Sequence, residues 1–333
     1  MLTIIVAFSL LSYELKLGRK LMNTIKYLVG VCFAIVISTT AVADWKPSGP
    51  INLQIGFGAG GSTDILGRAI GKELEDQYGW KVIVENKPGG GGIAMFTKIA
   101  VAKADGLKIG MGVSMPTLIN LVMRGDKLTF DLDSFDYLAT VTRAQLAMIA
   151  RSDAPFNDIA GLIEHSKSKG GALVGFDAKP QELVMKLIDG KSGAGFKLVS
   201  TESGAEMLQN LMGGHIDAAF NGGPHIQYLE SGDVKMLASV NAGRHNYAPD
   251  TQTLIEQGFD IYVDPWWYIA APAGLSNDAK DTLAKAFNSA INSENVSKVI
   301  QNVLKLQPNN LGPEDTKEMM VDGLGNIAVL FGK

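Results

Sequence analysis

Short β-branched runs alternate with longer amphipathic stretches from residue 51 to the C-terminus, and this rhythm confines the chain to an α/β architecture. Residues 51–57 are apolar enough for a strand. Residues 63–78 follow at helical spacing, with Ile65, Leu66, Ala69, Ile70 and Leu74 on one face. Strand, helix and strand are predicted next over 81–84, 93–104 and 107–112, which implies a largely parallel sheet. Beyond residues 146–150 the rhythm repeats. Helices over 159–166, 182–188, 205–212 and 226–230 separate strands over 173–176, 196–199, 216–220 and 234–240. Gly170-Gly171 and the glycines between 190 and 195 mark surface turns in this second unit. After residues 266–270 the chain resumes with Pro272-Ala273-Gly274, and helices over 277–292 and 313–330 complete it.

The first 43 residues read as an address and not as fold. A basic start at 22–26, an apolar run over 27–37 and the small residues Ala41-Val42-Ala43 have the layout of a secretory signal peptide cleaved before Asp44. The apolar run is short for a permanent span, an uncleaved anchor being the alternative. Translation from Met22 would account for the residues in front of it. Val31 before Cys32 does not match a lipoprotein signal.

Without that segment 290 residues remain, enough for two domains, with 26 Lys and Arg against 33 Asp and Glu and no cysteine. Disulfide frameworks and thiolate chemistry are thereby excluded. No basic stripe is present to neutralise phosphates, so no nucleic-acid partner is expected. His165, His215, His225 and His245 contain no i, i+4 pair of the hydrolytic zinc type, and His215 reads as a turn residue. No metal or cofactor is expected. No serine stands in a G-x-S-x-G elbow, so a hydrolase is not expected either.

The most informative segment lies at the first strand-to-helix corner: Gly56, Phe57, Gly58, Ala59, Gly60, Gly61, Ser62, Thr63 and Asp64. Glycine there exposes backbone amides, and those amides with the helix dipole form an anion-binding corner. A tight turn with an ordinary Ser, Thr or Asp cap is the plainer reading. Gly56, Gly58 and Gly61 also satisfy the G-x-G-x-x-G dinucleotide fingerprint, with Glu85 at the end of the second strand. Against a dinucleotide enzyme, a second glycine cluster, 89–92, follows at the next corner, so two successive corners lack side chains. That pattern points to a small ligand held by main chain from two sides. The third corner offers Ser114, as a cap or a contact. In the second unit Asp177 and Asn221 stand at the C-terminal ends of strands, where α/β sheets present ligand groups; Asn221 before two glycines also suits a turn. Trp266 and Trp267 follow Asp264-Pro265, one to cover a cleft and the other to pack beneath it.

At these loops the chain resembles the solute-binding proteins of tripartite tricarboxylate transporters, the Bug or tricarboxylate-binding type. The resemblance rests on Phe57 with Gly60-Gly61-Ser62-Thr63-Asp64, on Val84-Glu85-Asn86-Lys87-Pro88 with the four glycines after it, and on Ala102-Lys103-Ala104-Asp105-Gly106. Later elements are Leu211-Met212-Gly213-Gly214-His215-Ile216-Asp217, Gly243-Arg244, and Trp267 with Ala271-Pro272-Ala273-Gly274. It implies a type II periplasmic-binding-protein fold, two α/β lobes with an interlobe cleft. Residues 44–143 plus 268–333 are expected to form lobe 1 and 148–263 lobe 2, with crossings at 144–147 and 264–267. It also implies a monomeric periplasmic receptor that delivers an organic carboxylate to integral membrane transporter subunits. A ligand-sensing component of the same fold is the alternative. The expected ligand contacts are residues 57–64, Asn86, Gly90, Gly91, Ser114, Asp177, Thr201, Asn221 and Trp266. Asp64 is expected to order the loop or a water, since a carboxylate facing it directly would be repelled.

Three departures from the family pattern bear on the ligand. Gly56 and Ala59 replace the family's prolines in the first loop. Phe176-Asp177-Ala178-Lys179 replaces a small-residue loop, and Ser200-Thr201-Glu202-Ser203-Gly204 replaces a tyrosine-lysine-glycine corner. A lysine is lost and acids are gained, so a monocarboxylate is expected over a tricarboxylate.

Overall fold

The computed structural model describes residues 45–331; the expected signal peptide, its cleavage point and Cys32 lie outside them. Two five-stranded sheets form the centres of two α/β lobes. The first contains β1 (Ile51–Ile55), β2 (Val82–Asn86), β3 (Lys108–Val113), β4 (Phe135–Arg143) and β10 (Trp266–Pro272), in the order β2-β1-β3-β10-β4. The second contains β5 (Ala147–Arg151), β6 (Leu173–Phe176), β7 (Lys197–Ser200), β8 (Ala218–Asn221) and β9 (Val234–Ser239), in the order β7-β6-β8-β5-β9.

Four of the five strands in each sheet run in one direction, as the alternating pattern implied, and one strand runs against them. Three adjacent strands in each pair in parallel, with Leu53 beside Val84 and Ile109 in the first sheet; the fourth in the order, β10 or β5, is antiparallel to both its neighbours, so the fifth runs with the first three. The cause is the chain path. Strands such as β1 and β6 end at the gap between the sheets, whereas β5 and β10 each enter from the other lobe and run away from the gap. The two crossings touch: the Ala144 N–H donates to the Pro265 carbonyl at 2.7 Å, and Arg143 pairs with Asp264. Asn241 spans them, its Oδ1 accepting from the Leu146 N–H and its Nδ2 donating to the Ala144 carbonyl and to Asp264.

Alternation along β10 sorts its side chains between two cores. Trp267, Ile269 and Ala271 join Leu53, Ile55, Leu66, Ile70 and Phe287 on one face. Tyr268 and Ala270 join Phe96, Tyr137 and Met320 on the other, where the Phe96 and Tyr268 rings stack at 5.1 Å. The first face is covered by α1 (Ser62–Tyr78), α8 (Asn277–Ile291) and α9 (Glu294–Leu304). The second is covered by α2 (Ile93–Ala100), α3 (Ser114–Arg124) and α10 (Gly312–Leu330). In the other lobe α4 (Ile159–Lys169), α5 (Lys179–Ser192), α6 (Gly204–Met212) and α7 (Ile226–Glu230) flank the second sheet, whose core includes Met148, Val174, Val184, Leu211 and Phe220. Each buried Leu, Ile or Phe side chain contributes about 1.5–3 kcal/mol of transfer free energy, so each lobe has a core of its own.

Candidate cleft between the lobes

Helix caps separate the cleft from the rest of the molecule. Away from it, α4, α8 and α9 are closed by the side chains of Asp158, Ser276 and Ser293, which accept from first-turn N–H groups. At the gap, α1, α2, α3 and α5 begin at Gly61, Gly92, Val113 and Ala178, and none of these supplies a side-chain cap. Orphan N–H groups and the positive ends of four helices are therefore left facing the cleft, an arrangement that favours an anion. Among the described residues, α6 is the exception at the gap, since Ser203 caps it.

The first loop is fixed by a polar clamp. The Asp64 carboxylate accepts from the Gly60 N–H (2.9 Å), Arg68 Nε (3.1 Å) and Asn86 Nδ2 (2.8 Å), and Asn86 Nδ2 also donates to the Phe57 carbonyl. Burial works against ionisation of Asp64, yet Arg68, the Gly60 amide and Asn86 together hold it below the usual carboxylate range. Asp64 and Asn86 thus shape the loops and do not line the cleft. The two glycine loops meet at Gly56, where an added Cβ would lie 2.8 Å from Gly92 Cα, and Gly89 to Gly92 all have positive φ. Gly60 also has positive φ, but Gly61, at φ −74, does not; its lack of a Cβ matters because a Cβ there would lie 3.3 Å from Ser203 Cβ of the other lobe.

The lobes touch across the gap. The Gly58 N–H donates to the Glu202 carbonyl at 2.8 Å, and the Ser62 hydroxyl donates to the Gly222 carbonyl at 3.0 Å. Between them lies an inner cavity of about 80 Å3, several times the room one water needs. Phe57, Gly61, Ser62 and Thr63 line it with Met115, Pro116 and Trp267; Asp177, Gln181, Met207 and Asn221 face them. An outer pocket of about 450 Å3 adjoins it, with Gly89, Gly90 and Gly91 opposite Lys179, Glu182, Thr201, Glu202 and Glu206. Phe57, Asp177 and Ala178 border both.

Of the residues singled out from sequence, Phe57, Gly61, Ser62, Thr63, Asp177 and Asn221 come together in the cavity, and Gly90, Gly91 and Thr201 in the outer pocket. Gly58, Ala59 and Gly60 stand outside both linings, Gly60 bordering a groove with Leu208 and Tyr228. Ser114 is buried and its hydroxyl accepts from the Trp266 N–H at 3.0 Å, so it anchors the crossing strand. Trp267, not Trp266, forms the cavity wall, its Nε1 donating to Thr63 Oγ1 at 3.0 Å. Pleating sends the two adjacent tryptophans to opposite faces of β10. Gln181, Pro116 and Met207 were missed. Gln181 was detectable in principle, because an uncapped helix start at Ala178 puts its first turn at the cleft.

Asp177 is the least compensated acid here. Its side chain reaches cleft water yet stands deep among protein atoms, and burial pushes its pKa up to about 6 against the help of Gln181. Lys179, the single cation lining the outer pocket, is paired with Glu182 at 2.8 Å. Thr201 Oγ1 donates to the Phe176 carbonyl, which leaves its lone pairs for a ligand.

Two α/β lobes closed over a cleft lined by uncapped helix starts define a solute-binding receptor. Residues 66–328 match the tripartite tricarboxylate transporter family receptor, and the chain belongs to that family. Family members are binding receptors and not enzymes. Protein BugT of Bordetella pertussis is 24% identical over 282 residues, covering 83% of this chain and 86% of that protein. The structure of periplasmic binding protein BugD superposes with a TM-score of 0.77 at 24% identity, over 86% of this chain and 98% of the other. MatC from Rhodopseudomonas palustris with bound malate gives 0.74 at 21% identity, over 85% and 99%.

Proposed function

We propose that this receptor captures a small monocarboxylate and presents it to the integral membrane subunits of a tripartite transporter. In this reading it acts as a periplasmic monomer after cleavage behind Ala43, with lobes of residues 44–143 plus 268–333 and 148–263 closing on the ligand. The observation that carries the ligand class is the asymmetry of the cleft. Uncapped starts of α1 and α2 and the glycine amides form one wall, while Asp177, Glu182, Glu202 and Glu206 dominate the other. One carboxylate gains charge-assisted bonds from the first wall. A second would meet acids, and an unpaired like-charge contact costs affinity. An amine or hydroxyl on the tail suits Asp177 and Thr201, and Trp267 and Met207 offer apolar contact. The malate held by MatC is a dicarboxylate, so the two proteins would differ in the second lobe.

A thermal-shift screen of residues 44–333 against amino acids, aromatic acids, and di- and tricarboxylates tests this, with hits confirmed by calorimetry. Monocarboxylates are expected to give the largest shifts. A dominant response to citrate would overturn the reading of the second lobe.

A further inference from the structure

The two spaces in the cleft offer a ligand opposite hydrogen-bonding partners. In the inner cavity the Thr63 hydroxyl accepts from Trp267 Nε1 at 3.0 Å, and the Ser203 hydroxyl accepts from the Glu206 N–H at 3.2 Å. Neither hydroxyl proton has an acceptor among the described residues. Asn221 Nδ2 gives one proton to the Gly204 carbonyl and keeps the other. Together with the uncapped start of α1, these groups make the inner cavity rich in donors.

The outer pocket is rich in acceptors. Asn120 of α3 lines it and is 9% exposed. Its Nδ2 donates to the Pro116 carbonyl at 2.9 Å, and that carbonyl can only accept, so the amide cannot be reversed. Asn120 Oδ1 meets no donor among the described residues and is not sealed within the protein, so its open side is the pocket. Thr201 Oγ1 has its proton on the Phe176 carbonyl and can only accept. Glu206 takes the Glu202 N–H on Oε2 and leaves Oε1 bare. Asp177 and Glu202 add negative charge, while Lys179 is held by Glu182, whose second oxygen binds Lys186.

We propose, on the carboxylate reading above, that the outer pocket is a subsite for a primary ammonium group. The ligand is then an ω-amino carboxylate, its carboxylate at the start of α1 and its amine among Asn120, Asp177, Thr201 and Glu206. A primary ammonium brings three donors and a positive charge, which these neutral and acidic acceptors satisfy together. A quaternary ammonium would bring charge alone and leave Asn120 Oδ1 and Thr201 Oγ1 unmet. The methylenes between the two ends pass Phe57 and Ala178, which border both spaces. The amides of Gly89 to Gly91 also open on the outer pocket, where an α-amino acid would bring both its charges. The donors of the inner cavity would then be left to water, which favours separated ends.

Calorimetry of the receptor at neutral pH with δ-aminovalerate, valerate and norvaline tests this, with γ-aminobutyrate and butyrate as a shorter pair. In at least one pair the ω-amino acid is expected to bind at least about tenfold more tightly than the amine-free acid. Norvaline, whose amine stays beside its carboxylate, is expected to bind less tightly than δ-aminovalerate. Asn120→Leu and the isosteric Glu206→Gln should each narrow the preference for the amine at least about threefold. Glu206→Gln decides alone should Asn120→Leu not fold. Equal binding of acid and ω-amino acid in both pairs, tighter binding of norvaline, or a preference undiminished by the substitutions would overturn the ammonium subsite and leave the carboxylate reading standing. Binding of none of the five overturns it as well, and the wider screen above then decides whether the carboxylate reading survives.

Discussion

Gly56 and Asp177 show how single positions set the two sides of the cleft. A methyl at Gly56 meets backbone, Gly92 Cα at 2.8 Å, which has no rotamer by which to move aside. Gly56→Ala is expected to cost about 1–3 kcal/mol in urea unfolding and to weaken binding by spreading the two glycine loops. Unchanged stability would show that the loops do not bear on each other. Asp177 acts through charge. Its pKa is raised from 3.8 to about 6 in the folded chain, so its contribution to stability is full below about pH 4 and is lost as pH rises through 6. At pH 7.5 Asp177→Asn should therefore stabilise the fold by about 1–2 kcal/mol. A bound carboxylate nearby makes the Asp177 proton harder to lose. Affinity for a monocarboxylate should thus rise about fivefold from pH 7.5 to 5.5 and stay flat in the variant. Parallel pH profiles in calorimetry would remove Asp177 from the ligand's surroundings.

Elements with strong periodicity were the readable ones. The helix of α1 and strands β1, β6 and β9 were visible in apolar spacing, and the glycine corners located the cleft side of the first sheet. Strand β4 escaped notice, because Asp136, Thr140 and Thr142 interrupt its apolar residues; Thr140 and Thr142 are buried and donate to the Asn309 and Gln307 carbonyls. Helix α9 was also missed, although Val296, Val299, Ile300, Val303 and Leu304 recur at helical spacing and Ser293 caps it, so its signal was present in the sequence. The antiparallel fourth strands depend on which lobe the chain arrives from, which periodicity does not encode. The site was legible in its main-chain half only. Glycine marks where backbone is exposed, but whether Trp266 or Trp267 faces inward depends on the register of β10. The uncapped start of α1 supplies a test at this scale. In Gly61→Asp the new carboxylate can occupy the helix start in place of a ligand's. Carboxylate affinity is expected to fall at least about 100-fold, while the added cap offsets part of the crowding against Ser203. Affinity within about threefold of the original chain in calorimetry would place the ligand away from α1.

At the scale of the whole molecule, closing the lobes places main chain against main chain, and this gives a way to hold the receptor shut. Ser62 in the first lobe and Gly223 in the second are juxtaposed: a Cβ built on Gly223 would lie 3.5 Å from Ser62 Cβ. That separation falls at the short edge of the range a disulfide spans. The same Cβ would approach Leu304 Cδ2 to 2.6 Å, a side-chain end that can rotate away. Residues 45–331 contain no cysteine, so Ser62→Cys with Gly223→Cys in a Cys32→Ser background has no competing thiol. Mild oxidation is expected to form the bridge in most molecules and to block entry of ligand into the empty cleft. Oxidation after loading should instead trap the ligand and slow its release by at least about 100-fold, with dithiothreitol restoring exchange. The reduced double variant should still bind, though the loss of the Ser62 bond to the Gly222 carbonyl removes about 1 kcal/mol of closing energy. Efficient disulfide formation with unaltered ligand exchange would mean that ligand enters and leaves without the lobes parting, and closure would then have to be assigned to loops at the rim.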